Sequence, residues 1–114
     1  MTFEAYLGFS GGTVLLTLVG AATDQSVPVL RTLVDRAVAH SPQRLVVRAR
    51  DLTSITPAGV RCLALAQQRL SAQADVLVDG ARPVIREALL QAGLEPAVAF
   101  VEELPPLPGE AGAA

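Results

Sequence analysis

The chain has 114 residues, of which 51% are hydrophobic and 18% charged, and its formal net charge is −2. That length holds one domain with a real core, and that composition excludes a disordered chain. All nine basic residues are arginine and scattered, with three Phe, one Tyr and no Trp, so the basic stripe with interleaved aromatics expected of a nucleic-acid binder is missing.

Phe3 to Phe9 predicts a first strand, with Phe3, Ala5, Leu7 and Phe9 alternating to one face. Ser10-Gly11-Gly12 signals a turn, and Thr13 to Val19 a second strand, giving a hairpin closed off by Gly20. The glycines at 8, 11 and 12 match no phosphate-loop spacing and join two strands rather than a strand and a helix. The apolar stretch Thr13 to Ala22 is too short to cross a bilayer and is broken by Thr17 and Gly20. No basic leader precedes an apolar run, so a cytoplasmic protein without membrane association is expected.

A first helix is predicted from Asp24-Gln25-Ser26-Val27-Pro28 to about His40, with Asp24 or Ser26 as cap. Val27, Leu30, Leu33, Val34, Ala37 and Val38 form its apolar stripe. Arg44 to Ala49 is the third strand, and its contiguous Leu45, Val46 and Val47 suit a central strand covered on both faces. A polar turn then leads to Thr56-Pro57-Ala58-Gly59. Thr56 is a natural N-cap there, and Pro57 fits the first helical position. The second helix is expected to run to about Ala72, with Val60, Leu63, Ala64, Gln67 and Leu70 on one side. Ala74 to Val78 is a fourth strand with Asp79-Gly80 turning out of it. Pro83 opens a third helix ending at Gly93, and Val98 to Val101 is a last strand. The expected fold is a single α/β domain over residues 1–103, ordered β-β-α-β-α-β-α-β, with a mixed, largely parallel sheet and helices packed on it. The Pro/Gly/Ala-rich stretch 104–114 reads as a flexible tail.

Catalytic chemistry lacks its parts. There is one histidine, one cysteine, no lysine and no convincing carboxylate pair, so acid–base, nucleophilic and metal-dependent mechanisms all miss their minimum set. Cys62 sits in an apolar run and reads as a small core residue. His40 lies at a helix C-terminus, where an imidazolium suits the helix dipole. Arg48 and Arg50 read as the solvated end of a strand. No catalytic residue, metal ligand or cofactor is assigned.

The strand–loop–helix Leu45 to Leu65, LVVRARDLTSITPAGVRCLAL, resembles the core of STAS domains of the anti-sigma factor antagonist type. The resemblance extends to Gly20, to Val27-Pro28-Val29-Leu30, to Val76-Leu77-Val78-Asp79-Gly80 and to Ala92-Gly93-Leu94. Members carry Asp-Ser-Ser/Thr-Gly at the helix start, and the first Ser is phosphorylated by a partner kinase. Aligned on Gly59, that acceptor falls on Pro57, the motif's Asp on Thr56 and its second hydroxyl on Ala58. The family's acidic residues after the second strand read Ala21 and Thr23 here, with Asp24 adjacent.

The resemblance implies a non-catalytic domain that docks on a kinase-type anti-sigma factor to regulate transcription. It implies a docking surface of Thr23, Asp24, Ser54, Thr56, Pro57, Ala58 and Arg61 and no phosphate at residue 57. A small-ligand sensor for lipid or nucleotide and a scaffold subunit in a multi-STAS assembly are the alternatives, and a homodimer is admitted.

Overall fold

The computed structural model describes residues 2–70, 73–92 and 98–101. The elements are β1 (Phe3–Ser10), β2 (Thr13–Ala22), a short 3-10 turn (Asp24–Ser26), α1 (Val27–Ala39), β3 (Arg44–Ile55), α2 (Pro57–Arg69), β4 (Asp75–Asp79), α3 (Pro83–Gln91) and β5 (Val98–Val101). They form one five-stranded sheet in the order β1-β2-β3-β4-β5. β1 and β2 are antiparallel, and β2 through β5 are parallel. The expected α/β class and element order are the ones observed.

Parallel neighbours in sequence order, joined by right-handed helical crossovers, place every helix on the same face of the sheet. The core follows from that. One alternate set of side chains faces the helices: Val14, Leu16 and Leu18 from β2, Leu45, Val47 and Ala49 from β3, and Val76 and Val78 from β4. Leu30, Val34 and Ala37 of α1, Val60, Cys62, Leu63 and Ala66 of α2, and Ile85 and Leu89 of α3 cover them. Each fully buried leucine in this layer contributes about 1.5–3 kcal/mol. Val46 points to the helix-free face and is still fully buried, flanked in register by Leu15 and Leu77.

Several expected boundaries move. β2 does not stop at Gly20 but continues to Ala22. Gly20 has φ +92° beside a register shift, and a Cβ there would overlap the Thr2 carbonyl oxygen, so only glycine lets the strand pass this bulge. β3 does not end at Ala49: Asp51 to Ile55, expected as a polar turn, extends the strand beside the end of β2. The first helix is preceded by the 3-10 turn, whose N-cap is Thr23, and of the two expected caps Ser26 rather than Asp24 is the N-cap of α1. The described part of α2 ends at Arg69, with Leu70 extended. Ser71, Ala72, Gly93 and the stretch 104–114, on which parts of the sequence reading fall, lie outside the described residues.

Candidate functional site

The start of α2 is set by three adjacent residues. Thr56 is extended, with φ −79° and ψ 162°, and its Oγ1 accepts the Gly59 N–H at 3.4 Å. The Thr56 N–H donates to the Ala22 carbonyl at 3.0 Å, tying the helix start to the end of β2. Pro57 occupies the first turn, where its missing donor has no helical role, and it is exposed. Gly59 is buried, and a Cβ on it would lie 2.9 Å from Ile55 Cγ1. The glycine of the motif is thus required by close packing of the helix on the last residue of β3.

The end of β2 meets this corner. Ala21 pairs with Ser54 and Ala22 with Ile55. Beyond them Thr23 and Asp24 are exposed. The Thr23 N–H donates to Ser26 Oγ at 3.2 Å, and the Ser26 N–H donates to the Thr23 carbonyl at 2.9 Å. Thr23, Asp24, Ser54, Thr56, Pro57 and Ala58 therefore gather at the C-terminal ends of β2 and β3. Ser54, read as a loop residue, is an exposed strand residue instead. Arg61 lies one turn further along α2 and is exposed. It borders a groove of about 370 Å³ between α2 and α3, lined also by Ile55, Pro57, Val60, Ala88, Gln91 and Ala92. Sequence reading missed this groove, because it depends on how two helices pack. The corner carries one acid, Asp24, and one cation, Arg61. It offers shape, hydroxyls and apolar surface to another molecule.

Other expected positions fall elsewhere. Cys62 is buried in the core. His40 caps α1, with Nδ1 3.1 Å from the Arg36 carbonyl, and its ring stacks on Phe9 at 4.0 Å. Phe9, expected to share one face of the first strand with Phe3, Ala5 and Leu7, is half-exposed at the rim, with His40 against it. Arg48 and Arg50, expected to be solvated, converge on Asp79: Arg48 Nε lies 3.4 Å from Oδ2 and Arg50 Nη2 3.2 Å from Oδ1. Among the described residues no group of three His, Cys, Asp or Glu side chains is placed to hold a metal ion, and no helix is long and apolar enough to cross a membrane.

Residues 6–102 match the family described as "Mlab, STAS domain". No curated protein sequence matches the chain. An anti-sigma factor antagonist from Mycobacterium paratuberculosis superposes with a TM-score of 0.80 at 19% identity, covering 98% of this chain and 93% of that one. The anti-sigma factor antagonist SpoIIAA in its unphosphorylated form gives 0.74 at 18% identity, over 88% of this chain and 90% of that one. The Bacillus cell fate determinant SpoIIAA in its phosphorylated form gives 0.70 at 18% identity, over 88% and 93%. The sheet order, the capped start of α2 and the family match along most of its length agree: this chain belongs to the STAS domain family.

Proposed function

We propose that this STAS domain is a non-catalytic interaction module that docks on a kinase-type anti-sigma factor through the corner formed by Thr23, Asp24, Ser54, Thr56, Pro57, Ala58 and Arg61, and so regulates transcription. The observation that carries the reading is the exposed Pro57 in the first turn of a capped helix, where the resemblance puts a phosphorylated serine. A phosphate there would add about −1.5 to −2 charges to a surface that binding must desolvate. Proline has no hydroxyl to modify, so docking is not switched off at this residue. The likeness to SpoIIAA, a protein with unphosphorylated and phosphorylated forms, supports the comparison.

The test has two arms. Calorimetric titration with kinase-type anti-sigma factors from the source genome should give a saturable complex that Arg61→Glu weakens. Incubation with the same kinase and ATP should leave the intact mass unchanged. Failure to bind any such factor removes the reading, and a gain of one phosphate removes its second half. The groove between α2 and α3 supports a second reading, a small apolar ligand bound beside Val60 and Ala88. A copurified molecule in the native mass spectrum, lost on Ala88→Trp, would favour it.

A further inference from the structure

Among the described residues β1 is paired on one side only, with β2, so its other edge is a row of outward N–H and C=O groups. Proteins blunt such edges with charged side chains, proline, bulges or shortness. β1 has a single charge, Glu4, and none of the others: it is eight residues long, FEAYLGFS, in unbroken register with β2. It also carries two exposed aromatics, Tyr6 at 54% and Phe9 at 50%. We propose that this edge pairs with the same edge of a second copy of the chain, antiparallel about a two-fold axis, joining two sheets into one.

The register follows from the hairpin. Gly11 and Gly12 alone connect Ser10 to Thr13, so these two residues form a hydrogen-bonded pair across the turn. Antiparallel pairs alternate. Gly8 with Leu15, Tyr6 with Thr17 and Glu4 with Val19 are therefore the other hydrogen-bonded pairs, and Phe3, Ala5, Leu7 and Phe9 direct their backbone groups to the open edge. A second copy must match these residues with one another. Setting Tyr6 opposite the partner's Tyr6 matches all of them, Phe3 with Phe9 and Ala5 with Leu7. An axis at Leu7 puts Phe3 opposite the turn, and an axis at Ala5 leaves Phe9 beyond the partner strand. With the axis at Tyr6, Glu4 faces Gly8, so no like charges are opposed. The two phenol rings meet at a non-hydrogen-bonded position, where cross-strand side chains come closest. This isologous contact uses none of the corner at α2, so it stands apart from the docking reading.

Sedimentation equilibrium of the full chain over a concentration series should reach twice the 11.8 kDa chain mass. Tyr6→Glu sets a carboxylate against its copy at the axis and should weaken association at least about tenfold while the melting curve is retained. Tyr6→Cys should cross-link two chains under mild oxidation, because opposed residues at such a position lie about 4.5 Å apart, within disulfide reach, whereas Cys62 is buried. A monomer at every concentration overturns the proposal. A dimer that tolerates Tyr6→Glu and gives no Tyr6→Cys cross-link overturns it too, because its interface lies elsewhere. A monomer that pairs only with an unrelated extended peptide does the same.

Discussion

Asp79 is almost fully buried at the end of β4, and two arginines hold its carboxylate. Arg48 is its register partner on β3, and Arg50 reaches it from within the shift in the β2–β3 register. A buried carboxylate is tolerable only with such partners. Arg50 is half-exposed and can return to water, so Asp79→Asn should cost about 1–3 kcal/mol, less than breaking a fully enclosed pair. A lower urea midpoint at unchanged slope is the expected reading. None of this was legible in Asp79-Gly80, which looks like a turn: the partners lie about thirty residues away and are fixed only by strand register. Tyr6 offers a second residue-level test. Its hydroxyl donates to Glu4 Oε2 at 2.8 Å, and the phenol pKa is raised above 10.0, first by that bond, then by desolvation and by the carboxylate's charge. A raised folded value means the contact is whole below pH 10.0 and is lost as pH rises through the higher value. With one tyrosine and no tryptophan in the chain, alkaline absorbance titration reports this group alone. Glu4→Ala should move its midpoint down toward the ordinary value.

At the scale of elements, local signals and packing divide the work. Thr56 and Pro57 mark the start of α2 because capping and proline geometry act within one turn, and the structure begins the helix there. Which side of α2 is buried is set by the sheet beneath it. Cys62 and Ala66 lie inside with Val60 and Leu63, while Ala64 and Gln67, expected on the same side as Val60 and Leu63, are only partly covered. Small side chains at 62, 64 and 66 give the apolar stripe little contrast, so its centre could not be fixed from sequence. The extension of β3 was hidden for a related reason. Asp51, Thr53 and Ser54 are polar and exposed, as in a loop; pairing of Asp51 with Val19 and of Ser54 with Ala21 makes this stretch strand, and Thr53 falls in the register shift between them. Gly59 joins the two elements. Gly59→Ala should destabilise by about 0.5–2 kcal/mol, because overpacking against Ile55 outweighs the gain in helix propensity. The double change Gly59→Ala with Ile55→Ala should cost less than the sum of the single changes, a coupling that a denaturation cycle measures directly.

For the whole molecule, one arrangement brings the proposed docking residues together. All helices cover one face of the sheet, and the strand ends that carry Thr23, Ser54 and Thr56 open at a single corner beside α2. The order of strands and helices that builds this corner was legible, because alternating patterns and turn residues are local properties of the chain. Within it, Pro57 separates stability from binding. It is exposed, its ring fits the first turn, and α2 begins with no acidic residue. Pro57→Glu therefore puts a negative charge where the helix dipole favours it, and the melting temperature should stay within a few degrees of the parent. The same charge imitates a phosphate at this position. If the corner docks on a kinase-type anti-sigma factor, Pro57→Glu should weaken the complex at least about tenfold, while Pro57→Ala leaves it within about threefold. Pro57→Ser should accept one phosphate from that kinase, seen as intact mass, and lose the complex as it does so. Equal affinity for the parent, Pro57→Ala and Pro57→Glu would place the contact away from the first turn of α2.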